Sequence, residues 1–260
     1  MRFTAHLLAG LGFLTFTSAT LVHADDGSSE GYDAPPGWGL PMEQHNFGTF
    51  LVDRLEYAWT DENEEAVVWD FQGWYGGDFQ RVYIKGEGEN VQGDGEDAEF
   101  EALEVLYSHL IADFWELQGG IGYQGGIASN DHPERTYAVL SLLGTMPYSI
   151  EIDTSLRASD EGDVSASLEA EYDIRVTQRT ILQPRAEIEV AASDVEEFGV
   201  GEGLNSTRLG MRLRYEFTRK FAPYIGAYWE KQYGNTADMT REEFGEVEGS
   251  GVVAGVRMWF

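Results

Sequence analysis

Polar and apolar residues alternate along most of this chain with a period of two, and the clearest runs come late. Tyr148, Ile150, Ile152, Thr154, Leu156 and Ala158 share a mostly apolar face, with Ser149, Glu151, Asp153, Ser155 and Arg157 between them. Val164, Ala166, Leu168, Ala170, Tyr172 and Ile174 repeat the pattern against Ser165, Ser167, Glu169, Glu171 and Asp173. Leu182, Pro184, Ala186, Ile188 and Val190 oppose Gln183, Arg185, Glu187 and Glu189, and Leu209, Met211, Leu213, Tyr215 and Phe217 oppose Arg208, Arg212, Arg214 and Glu216. Such a period marks a strand with one apolar and one polar face. Weaker runs bring the count to about twelve strands, an even number as bacterial barrels prefer. They fall near Phe50–Trp59, Ala66–Trp74, Phe79–Lys85, Glu99–Tyr107, Phe114–Tyr123, Arg135–Leu143, Tyr148–Ala158, Val164–Ile174, Ile181–Val190, Thr207–Phe217, Phe221–Trp229 and Gly251–Phe260.

Two architectures bury one face of such strands. A soluble sandwich turns the apolar face to a core between sheets, and a transmembrane barrel turns it to lipid. Aromatic residues gathered at strand ends (Trp59, Trp74, Tyr107, Tyr148, Tyr172, Tyr215) and alternating loop lengths favour an all-β, up-and-down antiparallel barrel. Short turns are expected at Thr145-Met146-Pro147 and Thr218-Arg219-Lys220, on the periplasmic side. Longer loops are expected at Gly86–Asp97, Gln124–Glu134, Ala192–Leu204 and Gly234–Gly249. The glycine-rich pieces Gly86-Glu87-Gly88-Glu89 and Gly199–Gly203 lack the strand-to-helix setting of a phosphate loop and read as surface loops. The last strand, with apolar residues at every second position up to Phe260, resembles the signal read by the outer-membrane assembly machinery.

The N-terminal region has a different texture. Met1-Arg2, an apolar stretch from Leu7 to Val22 and the small-residue site Val22-His23-Ala24 read as a secretory signal peptide, residues 1–24. Residues 25–46 are rich in Gly, Pro, Ser and acid and read as a flexible periplasmic leader, which leaves 47–260 for the barrel. No later apolar run approaches the roughly 20 residues of a spanning helix. The absence of cysteine suits a large structure closed by hydrogen bonds rather than a disulfide-stapled module. The formal charge of −29 offers no basic stripe and excludes nucleic acid as a partner.

Several blocks carry a specific resemblance. Asp53-Arg54-Leu55-Glu56-Tyr57, Gln72-Gly73-Trp74-Tyr75-Gly76-Gly77-Asp78 and Lys85-Gly86-Glu87-Gly88-Glu89 come first. Leu168-Glu169-Ala170-Glu171-Tyr172-Asp173, Leu182-Gln183-Pro184-Arg185 and Val253-Ala254-Gly255-Val256-Arg257 follow in order. Together they resemble the copper resistance protein B family of outer-membrane proteins over essentially the whole barrel. The resemblance implies an outer-membrane location, lipid around the wall, copper as the relevant ion and periplasmic copper proteins as partners. Members of that family often carry a leader crowded with Met and His, ligands suited to copper. Here the leader offers only Met42 and His45, an incomplete ligand pair that a plain linker also explains.

The polar faces hold the remaining candidate chemistry. If the Tyr148 and Val164 strands form a hairpin across Asp160-Glu161-Gly162, Glu151 and Asp153 face Glu171 and Glu169, and like charges so placed need a cation between them. Arg185 is within reach of Glu169, Glu187 and Glu189 continue the acidic series, and Arg208, Arg212 and Arg214 form a basic column farther round the wall. This ladder has two readings, mutually satisfied ion pairs that stiffen the barrel and a polar passage that attracts a metal cation. A hydrolase is disfavoured. Ser108 and His109 are neighbours on one predicted strand, so they point to opposite faces and cannot form a dyad with each other. Asp131-His132 sits in a predicted loop.

Overall fold

The computed structural model describes residues 45–60, 65–91, 99–126, 133–243 and 246–260. The signal peptide, Met42 and the rest of the leader up to residue 44, and His132, lie outside the described residues. From Phe47 onward the chain forms strands β1 (Phe47–Thr60), β2 (Glu65–Gly76), β3 (Gln80–Val91), β4 (Glu99–Ala112), β5 (Trp115–Gly126), β6 (Arg135–Met146) and β7 (Ile150–Ser159). They continue as β8 (Val164–Tyr172), β9 (Ile174–Arg175), β10 (Thr180–Ala191), β11 (Gly203–Tyr215), β12 (Phe221–Gln232) and β13 (Glu248–Trp259).

From β1 to β8 each strand pairs antiparallel with the next, β10 pairs β8, β9 and β11, β12 pairs β11 and β13, and β13 returns to pair with β1 from Leu51↔Trp259 to Thr60↔Gly251. The sheet therefore closes on itself and leaves no edge. Hydrogen bonds from Phe260 N to Phe50 O (2.9 Å) and from Thr49 Oγ1 to Phe260 O (3.0 Å) finish the seam. β8 and β9 are two parts of one wall strand, both paired to β10, so the barrel has twelve staves. The interruption at Asp173 lies opposite Gln183-Pro184, and Pro184 has no N–H to give to the ladder.

Large apolar side chains are exposed on the outer face throughout: Ile121 is 70% exposed, Ile225 64% and Val252 55%. In water that surface would be an aggregation hazard; against hydrocarbon it is the favoured arrangement. The interior is largely polar. Its buried apolar residues include two small clusters, Ala58, Ala66, Tyr224 and Val253, and Tyr83, Leu106, Tyr137 and Val139. Both termini of the barrel and the short turns share one end. The other end carries the longer connections, two with helical pieces: η1 (Glu196–Phe198) and α1 (Gly234–Glu243). Barrels of this kind place the short turns in the periplasm.

Several expectations need correction. Gly86-Glu87-Gly88-Glu89 is not a loop but part of β3, which runs on to Val91. Gly86 and Gly88 are outward positions roofed by the rings of Phe71 and Trp69 on β2, which occupy the space where a Cβ would stand. Only glycine allows that packing, so the residues read as loop punctuation are strand residues covered by aromatic neighbours. The turn expected at Thr145–Pro147 falls at Pro147–Ser149, because Tyr148 and Ser149 adopt positive φ (72° and 63°) and reverse the chain; β7 accordingly begins at Ile150. Trp74 is not a girdle residue but lies inside, 4.4 Å beneath the Arg81 guanidinium. The segment from Gly234 onward, expected as loop, is a helix for ten residues.

Candidate functional site in the barrel lumen

Slips in the two-residue period bring extra charges inside. Along β1 the register jumps between Val52 and Arg54 against β2, and between Val52 and Leu55 against β13. A bulge therefore turns Asp53 and Arg54, which are consecutive, both toward the lumen. Asp53 meets Arg257 at 2.7 Å, while Arg54 donates to Asp70 at 3.2 Å and to Glu87. On β4 a similar slip brings Glu101 to the lumen beside Ala102.

Arg185, 3% exposed at its side chain, is the hub of the lumen. It contacts Glu169 at 2.7 Å, Glu171 at 3.4 Å and Asp70 at 3.9 Å, and also pairs with Glu187. The β7–β8 register sets Glu151 opposite Glu171 and Asp153 opposite Glu169. Lys85 relieves that repulsion by bonding Asp153 at 2.6 Å, and Ser141 Oγ donates to the same carboxylate at 2.9 Å. Glu151 is attracted by Arg257 and Arg214 and repelled by Asp173 and Asp53. The column on β11 is likewise paired: Arg208 with Glu230, Arg212 with Glu56 through two nitrogens, and Arg214 with Asp173. Glu189 accepts from Ser206 Oγ at 3.3 Å.

The network divides the lumen. A smaller cavity of about 150 Å³ is lined by Arg54, Arg185, Arg208 and Arg212 against Glu56, Glu89 and Glu187. A larger one of about 490 Å³ is lined by fourteen carboxylates and six cations. Glu89, Arg185, Glu187 and Arg208 belong to both walls and form the partition. In the larger cavity Glu101 is repelled by Glu87, Glu89 and Glu189, with Arg208 as its attracting cation. An acid excess inside a low-dielectric wall raises the local concentration of cations.

The β10–β11 connection folds over the wide end. Val195 and Val200 bond to each other across a small turn and line the larger cavity. The ring of Phe198 sits 4.2 Å from the guanidinium of Arg135 on β6, three staves away. Helix α1 braces the loop: Thr236 Oγ1 accepts from Gly201 N at 2.8 Å, and Asn235 Nδ2 donates to Asp194 at 2.9 Å. A side chain at position 201 would strike the backbone of Thr236, so only glycine lets loop and helix approach this closely. The bonds to Asp194 from the Asn235 amide and the Glu202 backbone N–H hold its carboxyl below the usual carboxylate range.

The structure thus gathers Glu151, Asp153, Glu169, Glu171, Arg185, Glu187, Glu189, Arg208, Arg212 and Arg214 on one inner surface. His45 is exposed just ahead of β1, and Met42 lies outside the described residues. Ser108 is buried and donates to Glu116 at 2.6 Å, whereas the next residue, His109, is exposed on the outside. Asp53, Arg54, Glu56, Asp70, Glu87, Glu89, Glu101 and Glu104 belong to the same lumen and were not singled out by the alternation. A signal for some of them exists: Asp53-Arg54 and, just after Glu101, Ala102-Leu103 each break the two-residue period, as a bulge requires. Among the described residues no set of three or more His, Cys, Asp or Glu is arranged to hold a metal ion. Arginines and a lysine stand between the carboxylates, and carboxylate oxygens are poor partners for a soft ion.

A closed twelve-stave sheet, apolar toward the outside and charged within, is an outer-membrane β-barrel. The solved NanC porin shares that fold with a TM-score of 0.52, covering 80% of this chain and 98% of its own at 12% identity. Residues 46–260 match the family described as copper resistance protein B precursor. The chain is 36% identical over 214 residues to a copper resistance protein B homolog of Pseudomonas syringae pv. tomato, covering 81% of this chain and 69% of that protein. It is 39% identical over 211 residues to copper resistance protein B of Escherichia coli, covering 81% and 68%. This chain belongs to the copper resistance protein B family.

Proposed function

We propose that this barrel serves copper tolerance by drawing copper ions into its acid-rich lumen, where they are held loosely or passed across the outer membrane. The observation that carries the reading is the larger cavity, in which fourteen carboxylates outnumber six cations. The family relationship supplies the ion. The donor chemistry argues for weak, exchangeable association rather than a fixed chelate, since Asp153, Glu169 and Glu171 already have a lysine or arginine partner. Met42 and His45 add a foothold in the leader, residues 25–46, behind a secretory signal of residues 1–24. Periplasmic copper proteins are the partners on the inner side.

A second reading is a structural barrel that touches no metal, its effect on copper arising through partners. The partition through Arg185 and the loop folded over the wide end favour it. Deletion and complementation under graded copper separate the two. Wild-type complementation restores growth and cell-associated copper, whereas Glu89→Gln/Glu101→Gln/Glu189→Gln moves both toward the deletion with the amount of folded barrel unchanged. If the deletion leaves copper tolerance and cell copper unaltered, both readings fail. If the triple variant complements fully, the second stands and the first is lost.

A further inference from the structure

Apart from Arg2, the chain has sixteen Lys and Arg. Ten of them line the lumen, where nine pair with acids and Arg135 binds Gln124. Lys231 and Arg241, at the wide end, are tied to Glu248 and Asp238. The remaining four, Arg175, Arg179, Arg219 and Lys220, are all exposed, and among the described residues none has an ion-pair partner. In a chain this acidic, the exposed positive charge without an ion pair stands in one place.

That place consists of the two neighbouring short turns that flank β10 and β11. The turns are ordered and joined. Thr177 Oγ1 accepts from Arg179 N at 3.2 Å and from Thr180 N at 2.9 Å, and Thr218 Oγ1 accepts from Lys220 N at 3.3 Å. Glu216 N donates to Arg179 O at 2.8 Å, which ties one turn to the other, and Trp259 N donates to Lys220 O at 3.2 Å, which ties them to the seam. Immediately beside the cations the outer wall carries exposed apolar groups: Val176, Tyr215, Phe217 and Phe221, the last three in successive ring contacts of 5.1 and 6.5 Å. An anionic head above and an apolar body below are the two halves of a phospholipid.

We propose that Arg179, Arg219 and Lys220 form a binding site for the headgroup of an anionic phospholipid in the periplasmic leaflet, with its acyl chains on Tyr215, Phe217 and Phe221; Arg175, which pairs with Ile181 on the inner face, stays outside it. A soluble acidic protein would explain the charge and leave the rings without a role. The site does not depend on copper, so it stands or falls apart from the function proposed above.

The test uses the whole folded barrel in detergent micelles, titrated with phosphatidylglycerol or phosphatidylcholine of matched chains and read by native mass spectrometry. Each cation near an anionic surface contributes modestly, so three together favour phosphatidylglycerol by about tenfold or more at low salt. The preference shrinks severalfold at about 1 M salt, where the screening length falls to about 3 Å. Arg179→Ser/Arg219→Ser/Lys220→Ser brings the ratio to within about twofold of unity, while Lys231→Ser/Arg241→Ser leaves it unchanged. Equal retention of the two lipids by the unaltered protein overturns the proposal without any variant. So does this triple variant if it keeps the preference, or binding of polyglutamate with no preference between the lipids.

Discussion

The two faces of this wall are built from alternate residues of the same strands, yet they obey different rules. On the outside, Ile121, Leu140, Ile225 and Val252 are bounded only by lipid, and any apolar group of similar size serves. On the inside, Arg185 answers to Glu169, Glu171 and Glu187, and Arg212 to Glu56. The outer face specifies a class of residue, and the inner face specifies individuals. Specificity and fragility should therefore lie together on the lumen side.

The sharpest way to break that contrast is Arg185→Met, which leaves several half-buried carboxylates without their cation. Removing one partner of such a network costs about 3–5 kcal/mol. Urea unfolding in lipid vesicles measures it, and adding Glu169→Gln and Glu171→Gln should recover part of the loss. On the outer face the largest insult is a charge at mid-wall. Ile121→Arg costs about 2–4 kcal/mol near the bilayer midplane. An Arg185→Met cost below that of Ile121→Arg would mean that the lumen is wet enough to solvate its own charges.

Much of this contrast was legible in the residues. Alternation over β7, β8, β10 and β11 identified strands, apolar-out orientation and even the facing of Glu151 with Glu171, because period two leaves no freedom once a hairpin is drawn. The failures share a cause. Gly86 and Gly88 suggest a loop because glycine is a local signal, while the rings that cover them come from β2, a cross-strand partner. Asp53, Arg54 and Glu101 escaped because a bulge is visible in sequence only as a slip of the period. Helix α1, with mean polarity high and, among its described side chains, only Thr236 and Ala237 buried, carries no helical stripe to announce itself.

A finer comparison uses one device that occurs on both faces, an aromatic ring laid over a cross-strand glycine. In the lumen, Tyr224 covers Gly255, and its hydroxyl donates to Glu56 at 3.0 Å. Outside, Phe71 covers Gly86 with no polar function. Tyr224→Phe keeps the cover but removes a hydrogen bond to a charged acceptor already shared with Arg212, at a cost of about 1.5–3 kcal/mol. Phe71→Leu removes an aromatic cover that lipid chains replace, at about 0.2–1 kcal/mol, the scale of a single cross-strand pair. Both are read from the same vesicle titration as the midpoint shift at constant slope. The order of the two values matters more than either alone: a Phe71→Leu cost that matches Tyr224→Phe would show that ring-over-glycine packing, rather than lumen charge, holds the wall together.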